Sequence, residues 1–212
     1  MDWWSERVVP HLTDLALRGK DIDELREETC HGLHGRVLEI GFGSGLNLRF
    51  YPDSVTSVAA VEPSDVGWRM SEKRRSAADV PVRRSGLDGQ HLAEEDAEFD
   101  SALVTFSLCT IPDPALALAE VRRVLRPGGS LHFLEHGLAP DAGVARWQRR
   151  LDPVQRRVCG GCHLSRDVPG LVGAAGLEVD EVRAEYQPGP RVMRPWIHSF
   201  VGRATKGAGA SS

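Results

Sequence analysis

The chain has 212 residues, 41% of them hydrophobic and 26% charged, enough to bury one full core and in keeping with a single soluble α/β domain. A formal net charge of −4 gives no global attraction to a phosphate backbone, which argues against nucleic acid as a partner. The first seven residues, MDWWSER, carry acids early and lack the apolar stretch of a secretory signal, and no apolar run approaches the roughly 20 residues that span a bilayer, so a cytoplasmic location without membrane contact is expected.

Val8, Val9, Leu12, Leu15 and Leu17 recur at helical spacing, which places helices over 6–19 and 22–30. A first strand reads 36–40, with a helix opening near Gly45, and a second strand covers about 57–62. Ser64 is positioned to cap the next helix. Val82-Arg83-Arg84 is a short third strand, 101–106 the fourth, 114–125 a helix with Pro114 near its start, and 130–135 the fifth. Residues 143–157 pattern as an amphipathic helix and 166–175 as another closing at Gly176, with the last strands at 177–185 and 197–205. This alternation predicts a doubly wound, Rossmann-like α/β fold: a seven-stranded, mostly parallel sheet with helices on both faces. One domain is expected over 1–206, comprising a helical lid at 1–35 and a core at 36–206 with an insertion at about 137–165. A flexible tail is expected at 207–212.

Within that frame, Val37-Leu38-Glu39-Ile40 breaks into Gly41, Gly43 and Gly45, and about 20 residues later a second apolar run ends in Glu62. That is the spacing of a nucleotide-binding α/β unit, in which the glycines admit a ligand close to the backbone and the carboxylate takes ribose hydroxyls. The third glycine comes one residue too early for a dinucleotide fingerprint, and no P-loop Lys-Ser/Thr pair follows. An adenosine cofactor other than a dinucleotide is therefore favoured over a Rossmann domain that binds NAD or nothing.

Three other motifs are set aside. His132-Phe133-Leu134-Glu135-His136 fits H-x-x-E-H, but metalloprotease chemistry needs its histidines one helical turn apart; in the strand expected here they stand roughly 13 Å apart. Cys159-Gly160-Gly161-Cys162-His163 fits a haem-attachment pattern that belongs to exported proteins, leaving substrate-loop residues as the better reading and a redox pair as a lesser one. The basic runs Lys73-Arg74-Arg75 and Arg146 to Arg157 lack interleaved aromatics and read as solvated helix faces. No metal is expected.

The five segments from Arg36 to Leu134, including Phe99-Asp100-Ser101-Ala102-Leu103-Val104 and the Arg126-Pro127-Gly128-Gly129 turn, resemble the class I S-adenosylmethionine (SAM) methyltransferases. A narrower resemblance covers nearly the whole chain. Asn47, Tyr51-Pro52, Leu108-Cys109, the run Glu120 to Gly129, Glu135-His136 and Gly161-Cys162-His163-Leu164-Ser165-Arg166 are similar to the thiol S-methyltransferase-like branch of the ubiquinone/menaquinone-type methyltransferases. Members of that branch methylate small, fairly apolar acceptors, in some cases sulfhydryl compounds. Its animal members carry a hydrophobic N-terminal anchor, from which this chain departs.

The resemblance implies that Gly41, Gly43 and Gly45 pass along the methionine and ribose of SAM, with Glu39 below them and Asn47 nearby. It implies that Glu62 holds the ribose diol, that Asp88 and Gly89 contact the adenine amino group, and that Phe106 and Ser107 border the sulfonium. An ordinary turn role for Asp88 and a structural strand-end role for Glu39 stay open. Ligands of open α/β sheets bind at the carboxyl ends of the strands, which puts Cys109 and the pair Glu135 and His136 over the cofactor. His136 is the candidate proton acceptor with Glu135 orienting it, or it shapes the loop only. Trp4 and His11 on the lid, and Trp147, Cys162 and Arg166 from the insertion, are candidate acceptor-binding residues, with core packing the alternative for the aromatics. The expected function is methylation of a small, fairly apolar molecule, favoured on the sulfur of a thiol, with S-adenosylhomocysteine as the other product. O- or C-methylation of a quinone-like or phenolic metabolite is the runner-up, and a SAM- or NAD-binding protein without methyl transfer is the reading from a different class.

Overall fold

The computed structural model describes residues 7–208. β1 (Gly35–Ile40), β2 (Val55–Val61), β3 (Val82–Gly86), β4 (Phe99–Thr105), β5 (Leu125–His136), β6 (Glu178–Tyr186) and β7 (His198–Thr205) form one sheet in the order β3-β2-β1-β4-β5-β7-β6. The first five strands run parallel to one another. β7 inserts between β5 and β6 and runs antiparallel to both.

The helices are α1 (Val9–Ala16), α2 (Lys20–Cys30), α3 (Asp65–Met70), α4 (Glu72–Ser76), α5 (Pro114–Val124), α6 (Ala142–Val158), α7 (Val168–Ala174) and α8 (Arg194–Ile197). Period-two alternation divides the apolar strand residues between two layers. From β5, Leu131 and Phe133 pack with Leu118, Val168 and Val172, while Leu134 packs with Leu25 of α2 and Val201. Ser64 caps α3 by accepting from the Gly67 N–H, and Asp113 caps α5 through the N–H groups of Ala115 and Leu116.

Element boundaries agree with the sequence reading to within a few residues except after β1 and at β5, which starts five residues early at Leu125 and takes in Pro127, Gly128 and Gly129 of the expected turn. No α-helix opens near Gly45; a single 3-10 turn, Leu48–Phe50, stands there. Pro52 has no N–H to offer the Leu48 carbonyl and forces Tyr51 into extended backbone, at φ −69° and ψ 130°, so a helix cannot continue. Of the predicted lid, α1 is tied to the glycine loop: buried Asp14 accepts from the Ser44 hydroxyl and from Arg18, with Arg74 3.5 Å away. Trp4 and positions 209–212 of the tail lie outside the described residues. No helix among the described residues is long and apolar enough to cross a membrane.

β5 is also joined to α2 by a histidine. His132, 4% exposed, lies 3.0 Å from the Thr29 carbonyl oxygen through Nδ1 and 3.1 Å from Ser130 Oγ through Nε2. Burial pushes its pKa down to about 4, with Arg203 adding to the shift and the Thr29 carbonyl opposing it. Between the ordinary histidine pKa of about 6.5 and that value, the unfolded chain binds a proton that the folded chain does not, so stability falls as pH falls. Relative to His132→Gln, which cancels every other titrating group, the parent is expected to lose about 3 kcal/mol of unfolding free energy between pH 7 and pH 4. Urea titrations at both pH values check this, and a pH-independent difference contradicts it.

Candidate active site

The glycine loop leaves β1 with Gly41, Gly43 and Gly45 at φ +74°, +57° and +75°, a conformation that costs a residue with a Cβ. At Gly41 a Cβ would also stand 1.8 Å from Ser107 Oγ, so this loop and the turn after β4 touch. At Gly43 the nearest heavy atom to such a Cβ is 3.9 Å away, and the space beside the backbone is open. Glu62, at the tip of β2, accepts from the Gly43 N–H at 2.6 Å and the Ser64 N–H at 2.7 Å. Burial raises its pKa against the pull of those two donors. Each carboxylate oxygen keeps further acceptor capacity for a ligand hydroxyl.

Beneath the loop, Glu39 is fully buried and accepts from Asn47 Nδ2 at 2.7 Å and from the Tyr51 hydroxyl. Burial pushes it up to about 7, with Tyr51, Asn47 and the Arg26 guanidinium working in the other direction. Arg26, from α2, donates to Asn47 Oδ1 at 2.5 Å and to Thr105 Oγ1 at 3.2 Å, and its guanidinium carbon lies 5.5 Å from the centre of the Phe106 ring. Its Nε is buried without a partner. Arg26 and Thr105 escape sequence reasoning because neither stands in a motif. The one available signal is an arginine at the apolar spacing of α2, next to Leu25.

The turn after β4 is held by one carboxylate. Phe106 takes φ +51°, and Glu135 Oε1 accepts the next two N–H groups, Ser107 at 2.6 Å and Leu108 at 2.8 Å. Complete burial pushes Glu135 up to about 7 despite these donors. This corrects the expectation that Glu135 orients His136. Consecutive strand residues project to opposite faces, so the Glu135 carboxylate serves β4 while His136 faces elsewhere.

His136 Nε2 lies 3.1 Å from Cys162 Sγ, and the ligand atoms of Cys109, His136 and Cys162 all fall within 4.8 Å of one another. The structure thus brings together three of the predicted residues from three separate segments. The contact between the two thiols raises the pKa of Cys109, together with burial, and lowers that of Cys162, with help from His136. Burial alone would depress His136, but its bond to Cys162 and the charges of Cys162 and Glu135 turn the net shift upward.

Other predicted residues fall outside this cluster. Arg166 is a clamp: its guanidinium donates to the carbonyls of Leu108 and of Ile111, the latter at 2.7 Å, and fixes the loop after α6 onto the turn after β4. Trp147 is 56% exposed on α6 and stacks with Arg150, because Ala145 and Gln148 form the buried face of that helix; it does not join the site. His11 is exposed on α1. Asp88 is exposed in the loop after β3, where Gln90 donates to it through its backbone N–H at 2.9 Å and its side chain at 3.0 Å, and His91 Nδ1 lies 3.1 Å away. These contacts hold its carboxyl below the usual range, the backbone N–H of Gln90 contributing most. Gly89 is packed against Ile40, whose Cγ2 would be 3.0 Å from a Cβ.

Residues 38–133 match the family described as methyltransferase domain. Thiol S-methyltransferase TMT1B of Rattus norvegicus is 34% identical over 176 residues, covering 80% of this chain and 70% of that protein. TMT1B of Homo sapiens is 33% identical over 183 residues, covering 82% and 73%. Among solved structures, a methyltransferase described as putative from Bacillus halodurans superposes with a TM-score of 0.71 at 14% identity over 89% of this chain and all of that one, a likeness of fold. With the glycine loop answered by Glu62 and relatives of this extent, the chain belongs to the class I SAM-dependent methyltransferases, in the family that includes the thiol S-methyltransferases.

Proposed function

We propose that this methyltransferase acts on the sulfur of a small, fairly apolar thiol. The observation that carries the reading is the engagement of His136 with Cys162 while Glu135 Oε1 is taken up by two backbone N–H groups. A hydroxyl acceptor requires a base free to remove a proton from a weak acid, and this arrangement offers no carboxylate-histidine dyad for that task. A thiol ionises in part near neutral pH and requires mainly alignment. The names of the relatives support the same acceptor class.

The residues fit the cofactor on two counts: open space beside the Gly43 backbone, and buried carboxylates at Glu39 and Glu62 that complement a cationic ligand. SAM supplies a methyl already activated by its sulfonium. On this reading Glu62 accepts the ribose hydroxyls while anchoring the loop, and Gly41, Gly43 and Gly45 let the backbone approach. Glu39 and Asn47 support the loop from below, Asp88 and Gly89 border the adenine, and Phe106 and Ser107 border the sulfonium. Cys109, His136 and Cys162 form the acceptor side.

Two outcomes test the proposal. Glu62→Ala is expected to weaken SAM binding by about 10- to 100-fold, since a paired charge-assisted contact is lost. Calorimetry measures this, and unchanged affinity in a folded variant, or tight NAD binding by the parent, contradicts it. With labelled SAM and a panel of thiols, phenols and quinols, label is expected in the thiols. Turnover of a phenol or quinol with no thiol methylated would leave O- or C-methylation in its place.

A further inference from the structure

The Cys109, His136 and Cys162 cluster has a donor set that the methyl transfer itself does not explain. Two sulfurs and one imidazole nitrogen converge within 4.8 Å, with Cys109 2% and Cys162 7% exposed. Cys109 follows β4, His136 ends β5, and Cys162 comes from the loop after α6.

Each donor is held in place by hydrogen bonds of its own segment. The turn carrying Cys109 hangs from the Glu135 carboxylate. His136 is paired with Ser199 of β7 in the sheet. The loop carrying Cys162 is bound on both sides: the His163 N–H donates to the Cys109 carbonyl at 2.8 Å, the Leu164 N–H to Asp152 Oδ1 at 2.6 Å, and Arg166 reaches across to the carbonyls of Leu108 and Ile111. The donors are therefore preorganised, as a metal site requires and as an incidental packing of cysteines does not.

Two thiolates and an imidazole suit zinc, which takes sulfur at about 2.3 Å and nitrogen at about 2.0–2.1 Å in tetrahedral geometry. That geometry sets the donors roughly 3.5–3.8 Å apart, between the 3.1 Å of the His136 to Cys162 contact and the 4.8 Å limit of the cluster. Glu135 Oε2, the second oxygen of the carboxyl group that holds the Cys109 turn, is buried without a partner. Three protein ligands leave the fourth position open, the pattern of catalytic zinc sites.

We propose that Cys109, His136 and Cys162 bind a zinc ion whose fourth position takes the acceptor's sulfur, an assignment that rests on the thiol reading above. The acceptor loses its thiol proton to solvent as it binds. Its thiolate then forms a carbon–sulfur bond to the methyl of SAM as the bond from that methyl to the sulfonium breaks, and the electron pair stays on the cofactor's sulfur, leaving neutral S-adenosylhomocysteine.

The test uses the full chain purified with zinc, then stripped and reloaded with cobalt as a spectroscopic stand-in. The parent is expected to hold one zinc per chain, and its cobalt form to show sulfur-to-cobalt charge-transfer absorption that shifts when a thiol acceptor is added. Cys109→Ser and Cys162→Ser are expected to lower zinc content at least tenfold while still binding SAM, whereas Cys159→Ser retains it. If Cys109→Ser does not fold, His136→Gln replaces it. Below the acceptor's pKa, the rate of stripped protein is expected to rise about tenfold per pH unit with the thiolate fraction, and zinc-loaded protein to show a flatter profile. Absence of cobalt absorption in folded parent, equal zinc in the cysteine variants, or a cobalt spectrum indifferent to thiols overturns the proposal. Equal thiol methylation with and without zinc also overturns it and leaves the thiol reading intact; a zinc-loaded enzyme that methylates only phenols or quinols sinks the thiol reading and the role of the fourth position with it.

Discussion

The site depends first on the Glu135 carboxylate, which sits fully buried at the end of β5 and accepts the N–H groups of Ser107 and Leu108. Those bonds hold a turn in which Phe106 adopts φ +51°, a conformation of modest cost for a bulky residue that the surroundings must enforce. Ser107 then packs against the Cα of Gly41, so the same turn sets the path of the glycine loop. On its other side the turn delivers Cys109 to His136 and Cys162. One carboxyl group therefore ties the glycine loop to the Cys109, His136 and Cys162 cluster, and burial leaves its two N–H donors no competing partner.

Strand order explains why these parts meet. The chain passes from β1 outward to β2 and β3, then returns to add β4 and β5 on the other side of β1, and the crevice of an open α/β sheet forms where the order reverses. Glu39 and Thr105 lie at the carboxyl ends of the two adjacent strands, and Arg26 and Asn47 join them in one buried network. Two buried carboxyl groups, Glu39 and Glu62, stand in this crevice, each held above its ordinary pKa by burial. α1 is bonded to the glycine loop beside this crevice through Asp14 and Ser44.

Much of this was legible in the sequence where chemistry and local pattern coincide. The glycine spacing, Glu62 at the next strand tip, the Ser64 cap and the alternation of strands and helices all follow from short-range rules, and each stands where those rules put it. Pro52, through its hold on Tyr51, removes the helix expected after Gly45. Cys109, His136 and Cys162 were each singled out, but their convergence is a product of the long insertion folding back through Asp152 and Arg166. Sequence adjacency pairs Glu135 with His136, but neighbours on a strand face apart, and Glu135 bonds the turn after β4 instead. Arg26 carried no motif, and Trp147 looked like a binding aromatic only until the buried face of α6 was known.

These relations make one spatial claim: the cofactor's methyl group faces the turn held by Glu135 and the Cys109, His136 and Cys162 cluster. A crystal structure of the complex with SAM tests it most directly. The account predicts Glu62 within hydrogen-bond distance of both ribose hydroxyls and the methyl pointing across Ser107 toward the three clustered side chains. A ribose bound away from Glu62, or a methyl directed away from that cluster, would contradict it.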